Sequence, residues 1–131
     1  MMKHLSLLVG IVLVTMCHQI AVKAQESDET ASKVERGKQV YEKWCAPCHG
    51  PGIGLPGFDA LPGTQQLGLK YRESDIPAVL AERTDLVPQF IEVVVRKGVS
   101  FMPQFRKTEI SDTDLEAISA YLTRNNPEER Q

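Results

Sequence analysis

The chain has 131 residues, which is enough for one ordinary domain. Its formal net charge of −2 and the absence of a basic cluster exclude a nucleic-acid partner, because phosphate backbones are bound by clustered Lys and Arg. Only 6% of the residues are aromatic and no long strand-like run occurs, so a large prosthetic group would help to build the core of so small a domain.

Residues 1–24 have the layout of a signal peptide. Residues 1–4 carry positive charge, residues 5–14 are apolar, and residues 22–24 offer small side chains at the cleavage positions. The apolar run is too short to span a bilayer, which disfavours the alternative of an N-terminal membrane anchor. We therefore predict export to the periplasm with cleavage near Ala24, leaving no stable membrane span.

Removal of this segment leaves very few residues that bind metals. Of three cysteines only Cys45 and Cys48 remain, of three histidines only His49, and of four methionines only Met102. Any metal or cofactor chemistry of the mature chain therefore has a short set of candidate ligands.

The N-terminal part of the mature chain is predicted to be a tail followed by a helix. Residues 25–31 are polar and acidic without apolar periodicity, which predicts a disordered tail. A capping box over 32–35 predicts the start of the first helix, with Val34, Gly37 and Tyr41 on its apolar face. Gly37 costs about 1 kcal/mol relative to Ala inside a helix, which is explained if another helix crosses closely there.

The middle of the chain alternates turns and helices. Residues 50–68 are rich in Gly and Pro, which predicts a turn-rich loop. A short helix is predicted over 76–83 with Asp75 as its cap. A clearer helix is predicted from about 88 to 97, ended by Gly98, although its cap position falls on an apolar residue.

A capping box over 111–114 predicts the start of the last helix, whose apolar stripe includes Leu115 and Leu122. No internal repeat and no convincing strand is found. The sequence thus predicts an all-α domain of four to five helices over 32–126, followed by a C-terminal tail over 127–131.

The stretch WCAPCH at residues 44–49 has several possible uses. Thioredoxin-type chemistry needs its first cysteine at a helix N-terminus after a central strand, whereas a charged amphipathic helix precedes Cys45. A structural zinc site needs four ligands and only three candidates are present. A plain disulfide between Cys45 and Cys48 would close a very small loop and leave His49 unexplained.

Attachment of a c-type haem uses all three residues of the motif. In a Cys-x-x-Cys-His run the two thiols form thioethers with the macrocycle and the histidine is the proximal iron ligand. On this interpretation Trp44 and Pro47 are incidental. The sequence therefore predicts that Cys45 and Cys48 bind one haem c covalently and that His49 ligates its iron.

Met102 is the predicted sixth ligand by elimination, because no second histidine remains in the mature chain. The alternatives are that Met102 fills the core and that Lys, Tyr or water takes the position. Thioether ligation raises the reduction potential. Two strong axial ligands leave no open coordination site, which indicates electron transfer and not peroxidase or oxygen chemistry.

The chain resembles a small class I c-type cytochrome over about 33–124. The matching residues are Cys45, Cys48, His49, Met102, Pro103, Gly37, Tyr41 and the last helix, LEAISAYL. The resemblance implies a small class I cytochrome c fold around one covalently attached haem, with the first and last helices crossing where Gly37 meets Tyr121. It also implies that a loop proline carbonyl accepts a hydrogen bond from the ring of His49; Pro56 is the first choice and Pro51 the second.

A narrower similarity, carried by the run over 90–105, is to the cytochrome subunits of p-cresol methylhydroxylase-type flavoprotein dehydrogenases. Candidates for contact with the haem propionates or a partner are Tyr71, Arg83, Arg96, Arg106 and Lys107, although solvated surface charge is the favoured interpretation of each. We predict a periplasmic one-electron carrier, itself no enzyme, between a dehydrogenase (a flavoprotein is one candidate) and a downstream cytochrome or oxidase. The alternative is a permanent electron-accepting subunit of a flavoprotein dehydrogenase.

Overall fold

The computed structural model describes residues 27–129. The predicted signal peptide over 1–24 and the last two residues of the chain lie outside the described residues. The helices are α1 over 27–44, α2 (Ala46–His49), α3 (Pro62–Lys70), α4 (Pro88–Lys97) and α5 (Asp112–Thr123), with a 3₁₀ turn at Leu80–Glu82.

Within 27–129 no β-strand is present, and an isolated bridge joins Val99 to Met102. The predicted all-α class is therefore confirmed. None of the described helices is long and apolar enough to cross a membrane. The chain from Lys33 onward forms one compact unit.

Helix α1 begins earlier than the sequence predicts. Residues 27–31, predicted to belong to a disordered tail, are helical, and the helix runs through Ser32 without a cap there. The stretch has no Gly or Pro to interrupt the helix, and Asp28 and Glu29 lie toward its N-terminal end, where the helix dipole favours negative charge. The side chains of 27–32 are exposed, in keeping with their polarity.

The predicted crossing of the first and last helices is confirmed. Gly37 is buried, and a Cβ atom on it would overlap the carbonyl oxygen of Ala117 and lie 2.9 Å from the Cβ of Tyr121. The rings of Tyr41 and Tyr121 lie beside this point with their centroids 5.3 Å apart. The glycine is therefore required by the close approach of α5.

Helix α3 lies where the sequence predicts only a loop. Pro62 occupies its first turn, where its fixed φ suits a helix and its missing N–H costs nothing. Conversely, the helix predicted over 76–83 is reduced to the single 3₁₀ turn. The carbonyl of Ala81 there accepts hydrogen bonds from the side chains of Arg124 and Asn125, so tertiary contacts have replaced helical ones.

Helices α4 and α5 occupy the predicted positions and pack against each other. Val87 gives α4 no side-chain cap, whereas the hydroxyl of Ser111 accepts a hydrogen bond from the amide of Asp114 and caps α5. They supply five of the buried core residues, Ile91, Val95, Leu115, Ile118 and Leu122, which are buried together with Tyr41, Cys45, Leu86 and Ile110.

Candidate haem site

The cysteine motif is held at the junction of α1 and the short helix α2. Cys45 lies between these two helices and is buried, Cys48 is exposed, and His49 is the last residue of α2. The hydroxyl of Tyr41, one of the buried residues of α1, donates a hydrogen bond of 3.1 Å to the carbonyl of His49. Both cysteines are free thiols, so the motif is not closed by a disulfide.

The pKa of the Cys45 thiol is shifted in the opposite direction from that of a thioredoxin nucleophile. Burial, with a smaller contribution from the charge of Cys48, raises the pKa of Cys45 to about 12. A catalytic thiol of that class has its pKa lowered so that the thiolate is present near neutral pH. No strand precedes the motif in the described part of the chain either. The thioredoxin alternative therefore has no support in the structure.

All four residues of the predicted site line one cavity of about 410 Å³. Cys45, Cys48 and His49 come from the region of the short helix α2, whereas Met102 comes from the segment between α4 and α5. The volume lies within the usual range for cofactor sites, about 300 to 1,000 Å³. Apolar side chains provide much of the remaining wall: Trp44, Leu67, Val99, Phe101 and Phe105.

The imidazole of His49 lies against the first turn of α3. Its Nδ1 atom is buried and has no hydrogen-bond partner, and an ideal Cβ on Gly63 would lie 2.6 Å from it. The predicted bond to Pro56 is therefore not formed, nor is one to Pro51. Both prolines are exposed in the loop that precedes α3, and the ring is covered by the first turn of that helix.

Burial lowers the pKa of His49, which keeps its ring neutral near pH 7. The neutral imidazole is the form that binds a metal through a ring nitrogen. With Nδ1 buried against Gly63, Nε2 is the nitrogen left for an iron in the cavity.

Met102 is presented by a tight turn directly after α4. The amide and carbonyl of Val99 bond to the carbonyl and amide of Met102, at 3.2 and 2.9 Å, and Ser100 between them has φ 55°. Gly98 starts the turn with φ 70°, and a Cβ on it would lie 2.6 Å from the carbonyl oxygen of Met102. The segment is then joined to α4, because the amide of Phe105 donates a hydrogen bond to the carbonyl of Val95 in that helix.

Arg96 fixes the chain beyond Met102. Its Nη1 donates to the carbonyls of Phe105 and Ile110, at 3.1 and 2.8 Å, and its Nη2 pairs with Asp112 at 2.9 Å. From the sequence, Arg96 is a candidate for propionate or partner contact, with solvated surface charge as the favoured alternative. In the structure, three hydrogen bonds from its guanidinium group hold the segment between α4 and α5 in place.

The other candidates for propionate contact are also engaged elsewhere. Arg83 is 4% exposed, pairs with Asp85 and lies over the ring of Tyr71. The remaining two pair with acidic neighbours, Arg106 with Glu109 and Lys107 with Asp112. None of the five lines the cavity, whereas Lys70, at the end of α3, does.

Trp44 is more than an incidental residue before the motif. It lines the cavity, and its ring meets that of Phe105 edge to face with the centroids 5.9 Å apart. The sequence offers no signal for this pairing of Trp44 with a residue that follows Met102. The sequence likewise gives no role to Gly63, which lies in the predicted loop over 50–68, or to Lys70, which follows that loop.

The residues present fit a haem c. Two free thiols, a neutral imidazole and a thioether surround one largely apolar cavity, and the orphaned Nδ1 fixes which ring nitrogen is available. A zinc ion fits less well, because residues 27–129 contain no group of three or more His, Cys, Asp or Glu side chains that could hold a metal ion. The donor set is the one expected for a His/Met-ligated iron.

The fold and this donor set define the class of protein, a class I c-type cytochrome. A known family, described as cytochrome C oxidase, cbb3-type, subunit III, matches residues 32–122, and the chain belongs to it. It is thus an electron-transfer protein of the haem-binding cytochrome c type. Comparison with curated proteins and with solved structures gave no match. The narrower similarity to p-cresol methylhydroxylase-type subunits is not confirmed by these findings.

Proposed function

We propose that the protein carries single electrons, through one covalently attached haem c, from a periplasmic dehydrogenase to a downstream cytochrome or oxidase. The observation that carries the proposal is that Cys45, Cys48, His49 and Met102 all line one cavity. Membership of the cytochrome c family supports electron transfer through haem, and the four residues at this cavity support covalent attachment and His/Met ligation.

Each residue has a defined task in this proposal. The thiols of Cys45 and Cys48 form the thioether links, His49 binds through Nε2, and Met102 binds through its sulfur. The bound haem supplies a one-electron Fe(III)/Fe(II) couple. Met102 favours the ferrous state, because a thioether is a soft ligand, and Trp44 helps to keep water from the iron–sulfur bond.

The proposal includes export to the periplasm. Residues 1–24 have the charged, apolar and small-residue regions of a signal peptide, and a c-type haem is attached outside the cytoplasm. N-terminal sequencing of the mature protein tests this part, with a start near Gln25 as the expected result. An N-terminus that retains the apolar residues 5–14 would contradict it.

The absence of an open coordination site separates an electron carrier from an oxygen- or peroxide-using protein. The purified ferrous protein should show an unchanged absorption spectrum under carbon monoxide, and a potentiometric titration should follow a single one-electron step. Rapid binding of carbon monoxide by the wild-type protein would contradict the assignment of two strong axial ligands.

A second role, a permanent subunit of a flavoprotein dehydrogenase, is favoured by one observation. Leu55, Phe58 and Phe101 are 70, 54 and 68% exposed and line a second cavity of about 220 Å³. Phe101 also lines the larger cavity, so the apolar surface reaches the proposed haem. Exposed apolar patches of this kind mark interaction sites. Gentle purification from the natural host, followed by size exclusion with flavin and haem absorbance, distinguishes a stoichiometric complex from a free carrier.

A further inference from the structure

We propose that Gly63 is a positioning residue for the axial imidazole of His49. The backbone of the first turn of α3 holds the ring by direct contact, without the carbonyl acceptor that ordinarily orients a metal-bound histidine. The inference rests on the haem site proposed above. It concerns how the ring of His49 is held in place, which the choice of His49 as a ligand does not by itself determine.

The contact between Gly63 and the ring leaves no room for a side chain. An ideal Cβ on Gly63 would lie 2.5 Å from Cε1 and 2.6 Å from Nδ1 of His49, and 2.8 Å from the carbonyl oxygen of Cys48. The backbone of Gly63 is ordinary helix, so its conformation does not call for glycine. Close approach to the imidazole is therefore the physical reason for a glycine here.

Both sides of this contact are anchored. Thr64, the next residue of α3, is buried, and its hydroxyl donates a hydrogen bond of 2.9 Å to the carbonyl of Gly50 directly after the motif. On the other side, the Tyr41 hydroxyl holds the carbonyl of His49. Because helix and motif are fixed to each other, a side chain at Gly63 would displace the ring of His49 together with the carbonyl of Cys48, which belongs to the short helix that carries the ring.

The lack of a hydrogen-bond acceptor at Nδ1 of His49 affects the reduction potential of the bound haem. Nδ1 of His49 is buried without an acceptor and lies at the N-terminal end of α3, where the helix dipole is positive. A ring N–H that bonds to a carbonyl makes the imidazole a stronger donor to the metal. Without that bond, His49 stabilises ferric iron less, which raises the reduction potential.

Helix α3 provides a matched control. Gly68 lies in the same helix, and a Cβ on it would meet only the Cβ of Ala78 at 3.5 Å, an ordinary contact. The same glycine-to-alanine change can therefore be made at both positions, and only one of them touches the imidazole.

The test compares G63A and G68A as ferric holoproteins by electron paramagnetic resonance and by potentiometry. We expect G63A to shift the low-spin g values and the midpoint potential, because the plane of the axial ring rotates or its bond to iron lengthens. G68A should match the wild-type protein in both. A G63A holoprotein with wild-type g values and potential would overturn the proposal.

If G63A does not retain haem, the pair T64V and T64S decides the question. T64V removes the bond that seats α3 against the motif and T64S keeps it, so T64V should shift the g values and T64S should not. Wild-type g values in T64V would then overturn the proposal. A wild-type protein without covalent haem would instead overturn the proposed function, so the two failures are distinguishable.

Discussion

Trp44 and Phe105 meet edge to face with their ring centroids 5.9 Å apart, although they lie at opposite ends of the domain's sequence. Trp44 immediately precedes the cysteine motif and Phe105 follows Met102 by three residues. The aromatic pair thus joins the segment that supplies the thiols and His49 to the segment that supplies Met102, on one wall of one cavity.

Replacing Met102 tests the sixth ligand. We expect M102A to lose the near-infrared charge-transfer band of a Met-ligated ferric haem and to lower the reduction potential, because a soft thioether stabilises ferrous iron. The ferrous variant should also bind carbon monoxide. M102H serves as the control: it should remain six-coordinate, with the lower potential typical of two nitrogen ligands. An unchanged band in M102A would exclude Met102 as the ligand.

Gly98 should be indispensable to the turn that presents Met102. In G98A the φ of 70° is strained and the new methyl group runs into the carbonyl of Met102. We expect a loss of stability of roughly 1 to 3 kcal/mol together with a weakened charge-transfer band. G57A is the matched control, since Gly57 has φ 92° but nothing within 4 Å of a Cβ. It should lose stability through backbone strain alone and keep the band.

The crossing of α1 and α5 gives a prediction that opposes helix propensity. Alanine is favoured over glycine inside a helix by about 1 kcal/mol. At Gly37, however, the methyl group would overlap the carbonyl of Ala117, so G37A should lower the free energy of unfolding by about 1 to 3 kcal/mol. G68A should leave stability unchanged or raise it. Chemical denaturation followed by circular dichroism measures both, and a G37A protein as stable as G68A would contradict the crossing.

Arg96 should stabilise the segment between α4 and α5. R96M keeps the aliphatic stem but leaves the carbonyls of Phe105 and Ile110 without their donor, which costs on the order of 2 to 3 kcal/mol. R72M is the control, because Arg72 makes only an exposed ion pair with its neighbour Glu73. Thermal unfolding should separate the two variants, and equal melting temperatures would contradict the role assigned to Arg96.

The cap of α5 predicts part of the acid sensitivity of the fold. The Ser111 hydroxyl, followed by the Arg36 guanidinium, holds the pKa of Asp114 below its ordinary value. Because the folded pKa lies below that of the unfolded chain, near 3.9, the carboxylate stabilises the fold above this pH and stops doing so as pH falls through the folded pKa. The stability difference between wild type and D114N should therefore shrink below about pH 4.

E116Q is the control for this measurement, since Glu116 lies on the same helix and makes only an exposed pair with Lys33 at 3.4 Å. Its effect on stability should be small at every pH. A difference between wild type and D114N that stayed constant from pH 7 to pH 3 would contradict the contribution assigned to Asp114.

The sequence predicts the features that depend on a local residue pattern or on the small number of residues that can bind a metal. Helices α4 and α5 have clear periodicity and recognisable ends, and the cost of Gly37 within a helix indicates a close crossing partner. The choice of His49 and Met102 as ligands depends on the small number of candidates, because residues 25–131 contain no other histidine or methionine. Their iron ligation stays a prediction, while their position around one cavity is observed.

The features that the sequence does not predict depend on contacts between distant segments. Helix α3 begins inside a Gly- and Pro-rich stretch, and its start at Pro62 is stabilised by the bond from Thr64 to the motif. Arg96 finds its acceptors on carbonyls 9 and 14 residues away, whose positions depend on the packing of α4 against α5. The expectation that Pro56 contacts His49 failed for the same reason, since α3 covers the ring instead.

The central claim is that Cys45 and Cys48 bind one haem covalently. The most direct measurement is the pyridine haemochrome spectrum of the full chain, produced together with cytochrome c maturation proteins, beside a double variant C45A/C48A. The account predicts a haem c spectrum equivalent to one haem per chain, resistant to extraction with acidified acetone and absent from the variant. A wild-type protein without haem, or with haem that acidified acetone removes, would contradict it.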